Sequence, residues 1–248
     1  MSGHSKWATI KHKKAAADAK RGRVFTHVIK EITLAARSGG DPDANPRLRT
    51  AVVAAKAASM PADNIKRAIQ RGTGELGGGQ IEEVIFEGYG PGGTAILVEV
   101  ATDNRNRTVA EIRHILTKHG GKLGEQGSVS RLFERKSQIL IAQERATEDQ
   151  LMETVLEAGA EDIRSDGTNW EIVSAPEAHE AVTAAIQRGG IETVSAAVAM
   201  IPTTSVRLEG KEAQQMLRLS EALEDHDDVQ GVYSNFDIDE NVMEALAE

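Results

Sequence analysis

The sequence predicts an α/β (α+β) chain of three domains: an N-terminal three-helix domain, a middle α+β domain and an inserted ferredoxin-like βαββαβ domain. Three observations lead there. Apolar residues recur at helical spacing through the first 72 positions, five glycines crowd into GTGELGGGQ at 72–80, and strand and helix patterns alternate beyond them. A chain of 248 residues exceeds the usual size of one hydrophobic core.

From Ala15 to Arg37, Phe25, Val28, Ile29, Ile32, Ala35 and Ala36 make one apolar stripe. Arg23, Lys30 and Arg37 stand on the other side, each two turns from the next, as a ladder of cations. Arg21 falls nearer the apolar side, where its stem can snorkel. Asn45 and Pro46 fit the cap and first position of a second helix running to about Ser59. Pro61 opens a third, with Ile65, Ala68 and Ile69 inward and Lys66, Arg67 and Arg71 outward, ending at Gly72. The glycine-rich stretch is a linker, so the first domain is 1–80.

EEVIFEGYG and TAILVEVAT read as paired strands, 107–119 as a helix with Thr108 and Glu111 as a capping box, and SVSRLFE as a further strand. QILIA, a helix over 148–158, EDIRS, NWEIVS, a helix over 177–188 and TVSAAVAMI follow in the order βαββαβ. TTSVRLE, a helix from 210 to about 225 and VQGVYSNFDI supply the elements that 81–133 lacks. The expected division is therefore 81–133 plus 203–248 as the middle domain, with 134–202 inserted.

Charge is segregated along this plan. Residues 1–71 hold eight lysines and seven arginines against five acids, a net +10, while the remainder nets −19. Within the basic part, 1–14 carries four lysines and no acid. An uncompensated basic segment on an acidic chain points to a polyanion partner. The expected nucleic-acid contacts are Lys6, Trp7, Lys11, His12, Lys13, Lys14, Lys20, Arg21, Arg23, Lys30, Arg37, Lys66, Arg67 and Arg71. Trp7 has two readings, a staple onto the bundle or a ring for stacking on a base. DNRNRT at 103–108 places Arg105 and Arg107 at a helix N-terminus: either a second anion site or a turn held by arginine–carboxylate pairs.

Other motifs carry less. GYGPGG at 88–93 matches G-x-G-x-x-G, but a strand follows it rather than a helix, so it reads as a hairpin loop. EDHDD at 224–228 reads as a solvated helix end rather than a metal cluster, and His114 and His119 are five apart, off a common helical face. The chain has no cysteine and no nucleophile–base constellation, so no enzyme, cofactor or metal is expected. Residues 134–202 net −8 and contain one aromatic, Trp170, which argues against base stacking and for a protein partner. There is no signal-like h-region and no run of eighteen apolar residues, so the expectation is cytoplasmic with no membrane contact.

GHSKWATIKHKKAAADAKRGRVFTHVIKEITLAAR, GDPDANPRLRTAVVAAKAASMPADNIKRAI, FEGYGPGGTAILVEVATDNRNRTVAEIRHILTKHGG and GSVSRLFERK closely resemble the YebC/PmpR family, which includes the mitochondrial translational activator of cytochrome c oxidase subunit I. The likeness runs in long blocks from residue 3 to about 136 and more loosely to the C-terminus. It implies a three-domain, non-enzymatic cytoplasmic regulator of gene expression, a DNA-binding transcriptional regulatory protein. The alternative it implies is a ribosome-associated translation factor, acting on ribosomal RNA and through proline-rich stretches. Arg131 stands where the family pattern leads one to expect a bulky apolar or aromatic residue.

Overall fold

The computed structural model describes residues 19–77, 80–165, 167–239 and 241–243. These fall into two compact units, one within Ala15–Ser128 with Gln214–Val232, the other within Val129–Ala213 with Tyr233–Glu248. The units meet at 128/129, 213/214 and 232/233; the division read from sequence lies at 80/81, 133/134 and 202/203.

The first unit opens with three helices: α1 (Ala19–Ala35), α2 (Pro46–Ala57) and α3 (Ala62–Gly72). Their core is Ile32, Ala35, Ala36, Leu48, Ala51, Ala55, Met60, Ile65 and Ala68, with Phe25, Val28 and Ile29 packed beside it, which is the stripe that the periodicity predicts. Asn45 caps α2, accepting the Leu48 N–H at 3.1 Å, while its amide donates to the Ala35 and Gly39 carbonyls at 2.7 and 2.8 Å. One side chain thus closes the end of α1 and the start of α2.

Gly72 has a different role from the one expected. It is the last residue of α3, and a Cβ there would lie 2.3 Å from the Thr33 carbonyl oxygen and 2.6 Å from the Ala36 Cβ. Close approach of α3 to α1 requires this glycine; the left-handed turn falls on Gly74, at φ +84°.

The sheet of this unit has the order β3-β1-β2-β9. Its strands are β1 (Glu82–Tyr89), β2 (Ala95–Thr102), β3 (Lys122–Leu123) and β9 (Val229–Ser234). β1 and β2 pair antiparallel from Glu82↔Thr102 to Tyr89↔Ala95. The glycine loop between them is a hairpin connection, with Gly92 and Gly93 at φ +66° and +77° and the Gly90 N–H donating to Thr94 O at 2.8 Å. Helix α4 (Arg105–Lys118) buries Ile112 and Leu116, with Leu116 against Gly88. Its cap is Asn104, whose side chain accepts the Arg107 N–H. Thr108, expected as the cap, is instead fully buried inside the helix. Helix α7 (Gly210–Glu224) sets Met216 against Thr94 at 3.3 Å.

The second unit holds β4 (Phe133–Ala142), α5 (Glu148–Val155), β5 (Ala160–Ser165), β6 (Asn169–Ser174), α6 (His179–Arg188) and β7 (Ser195–Pro202). The all-antiparallel order β5-β6-β4-β7 is the ferredoxin-like one. Ile139, Ile141, Leu151, Val155, Ile172, Val182 and Ile186 form its core. SVSRLFE and QILIA are not two strands: Ser130–Leu132 is a 3-10 turn, and β4 then runs unbroken for ten residues. A parallel pair, β8 (Val206–Arg207) with β10 (Phe236–Asp237), completes this unit.

Candidate nucleic-acid interface

The ladder on α1 is present, but its cations are occupied. Arg23 pairs with Asp225. Lys30 Nζ lies 2.5 Å from Asp228 Oδ1 and 2.9 Å from the Asp227 carbonyl. Arg37 donates to the Ile81 carbonyl at 3.0 Å. Between them, burial and then the Lys30 charge push His27 below its usual value of 6.5, so it adds no cation to the ladder near neutral pH.

EDHDD is not a solvated helix end. α7 stops at Glu224, and in the turn that follows Asp225, His226 and Asp228 have side-chain partners while Asp227 offers its carbonyl to Lys30. The His226 Nδ1 accepts the Asp228 N–H at 3.1 Å, which leaves Nε2 to carry the proton and donate to Glu111 Oε2 at 2.8 Å. Asp228, buried, takes Lys30 on one oxygen and Arg107 at 3.3 Å on the other. A donor relay also ends on it. The Asn104 N–H donates to Thr102 Oγ1 at 2.9 Å, Thr102 to Thr108 at 2.8 Å, and Thr108 to Asp228 Oδ2 at 2.6 Å. Burial alone would raise the Asp228 pKa. Hydrogen bonds from Lys30 and Thr108, with the Lys30 charge and Arg107, outweigh it and bring the group down to about 2.

Glu111, His226 and Asp228 bring one ligand atom each within 4.8 Å of one another, with Glu111 contributed by α4. The donor set suits an ion-pair network rather than a metal centre, because Lys30 and Arg107 already neutralise Asp228.

DNRNRT follows the second of its two readings at Arg107, which bridges Asp103 at 2.9 Å and Asp228. Arg105 is exposed. The remaining predicted contacts separate clearly. Lys66, Arg67 and Arg71 are exposed on α3; Arg67 donates to the Asp63 carbonyl and the Asn64 side chain, and none of the three has a carboxylate partner among the described residues. Lys20 and Arg21 fall in the first turn of α1. Lys6, Trp7, Lys11, His12, Lys13 and Lys14 lie outside the described residues.

Two features escaped the sequence reading. Lys56 on α2 is exposed and, like the α3 cations, has no carboxylate partner among the described residues; its place on the outward face of an alanine-rich helix was the available signal. Arg47 joins Glu31 of α1 to Glu83 of β1, and the hydrogen bonds it donates to Glu31 and then Glu83 hold its pKa well above the usual arginine value. No local pattern announces that bridge.

Fold and charge together define an α+β protein with a helical bundle whose outward cations divide into those with partners, Arg23, Lys30 and Arg37 on α1 and Arg47 on α2, and a set with no carboxylate partner among the described residues, Lys56 on α2 with Lys66, Arg67 and Arg71 on α3. The chain belongs to the TACO1/YebC family: residues 5–75 match the family's N-terminal domain and residues 81–236 its second and third domain. It is 67% identical over 248 residues to a protein of Solibacter usitatus named "Probable transcriptional regulatory protein", covering all of both chains. A protein of Acidobacterium capsulatum with the same name is 62% identical over 240 residues, 97% of this chain and 98% of that one. Among solved structures, a conserved hypothetical protein of Aquifex aeolicus superposes with a TM-score of 0.81 at 46% identity, covering 91% of this chain and 93% of that one. No helix among the described residues is long and apolar enough to cross a membrane.

Proposed function

We propose that this chain is a non-enzymatic, cytoplasmic nucleic-acid-binding regulator of gene expression, of the kind named in its relatives as transcriptional regulatory proteins. Its basic arm, with Lys6, Lys11, Lys13 and Lys14, and the exposed cations of its helical bundle engage the phosphate backbone. The observation that carries this reading is the set Lys66, Arg67 and Arg71: three exposed cations within two turns of one helix, with no carboxylate to neutralise them among the described residues. Such groups position a protein on phosphates without reading bases. The separate family matches at 5–75 and 81–236 support treating the helical segment as a module of its own.

The test is the salt dependence of binding by the full chain, measured by anisotropy with a labelled DNA duplex and, separately, a labelled ribosomal RNA fragment. Engagement of about six to ten phosphates predicts an affinity loss of about 10³ to 10⁵ between about 50 and 200 mM salt. A flat profile on both probes overturns the reading. Crosslinking in cells followed by sequencing then assigns the target: promoter DNA supports transcriptional control, ribosomal RNA the translational alternative.

A further inference from the structure

We propose that the acidic turn at 225–228 is an internal occupant of the cation ladder on α1, and that a phosphodiester backbone displaces it from Arg23. The inference rests on the nucleic-acid reading above and adds a self-competing contact to it.

Three observations carry it. The turn follows the ladder in register: Arg23 meets Asp225, and two turns further along α1, about 10 Å by helical rise, Lys30 meets the Asp227 carbonyl and Asp228. Oxygens thus line a helix face as successive phosphates would, using the charge-assisted geometry that arginine and lysine offer to either anion. Next, the buried core of the bundle is drawn wholly from residues 32–68, so exchanging one anion for another at Arg23 opens no apolar core.

The pairs are also graded. The Arg23 and Asp225 side chains are 42% and 48% exposed, whereas those of Lys30 and Asp228 are 16% and 9%. An exposed pair is screened by salt and easily exchanged, while a buried one is costly to break. Asp228 is further held by Arg107 and Thr108. Lys30 therefore stays locked, and Arg23 is the cation that changes partner. Free protein keeps Arg23 paired, so weak monovalent anions gain little there, while a polyanion already seated on the cations that have no carboxylate partner among the described residues competes for it at high local concentration.

The experiment compares full-chain variants on a labelled DNA duplex and a labelled RNA hairpin, run as separate arms. Asp225→Asn is expected to bind about three- to fivefold more tightly than the control Glu125→Gln, which removes one exposed acid of the same unit without uncovering a cation. In an Arg23→Ala background, Asp225→Asn is expected to give no gain, because the released cation is gone. If Asp225→Asn binds no more tightly than the control, or if its gain persists without Arg23, the proposal is overturned while the nucleic-acid reading stands. Absence of salt-dependent binding by the wild-type chain overturns both. A gain confined to one arm names the polymer that displaces the turn.

Discussion

Lys30 and Asp228 are 198 residues apart in the chain and 2.5 Å apart in space, and both side chains are largely buried. This contact ties α1 to the turn between α7 and β9, and through Thr108 and Arg107 to the start of α4. It also removes Lys30 from the set of cations available to a partner.

The pair gives the stability a defined pH dependence. Asp228 has a folded pKa of about 2, below its ordinary 3.8. A depressed carboxyl stabilises the fold above the unfolded pKa and loses that contribution as pH falls through the folded one. About 2 kcal/mol is thus expected to disappear between about pH 4 and pH 2. Urea titrations across that range check it, with Asp228→Asn as the variant that flattens the profile. Asp228→Ala, which strands a buried Lys30, is expected to cost about 3–5 kcal/mol.

Two glycines on the bundle are expected to respond in opposite directions to alanine. Gly72→Ala places a methyl group against the Thr33 carbonyl and Ala36, and overpacking of this kind costs about 1–3 kcal/mol. Gly22, at an exposed position of α1, has nothing within 4 Å of an added Cβ. Gly22→Ala is expected to stabilise by about 0.5–1 kcal/mol through helix propensity. Thermal unfolding of the two variants side by side checks both signs.

Asn45 serves two helix ends at once, so its loss exceeds that of an ordinary cap. Asn45→Ala is expected to cost about 2–3 kcal/mol: about 1 for the cap on Leu48, the rest for the Ala35 and Gly39 carbonyls left without their donor. Asn45→Asp keeps the acceptor and loses the donors, so its denaturation midpoint should fall between wild type and Asn45→Ala.

If α3 carries the phosphate contacts, changing Lys66, Arg67 and Arg71 together to alanine lowers the slope of log affinity against log salt by about 2.7 on duplex DNA. The contrast is Arg37→Ala, whose side chain already serves the Ile81 carbonyl and whose loss is expected to leave the slope near wild type. Anisotropy titrations at several salt concentrations read both.

Much of the architecture is legible in the sequence because its causes are local. The α1 stripe follows from helical spacing, the α2 start from Asn45 and Pro46, the hairpin at 88–93 from glycines that tolerate positive φ, and the ferredoxin-like order from the succession of strands and helices. Where local signals compete, sequence reading slips. Asn104 takes the cap expected of Thr108, and Gly72 is needed for helix packing rather than for a left-handed turn. Charge behaves differently again. Coulomb pairing depends on distance in space and leaves no periodicity in the chain. The sequence by itself therefore determined that the cations gather in the first 71 residues, and only the tertiary structure decided that Arg23, Lys30 and Arg107 meet the carboxylates of Asp225 and Asp228 while Lys66, Arg67 and Arg71 face outward with none among the described residues.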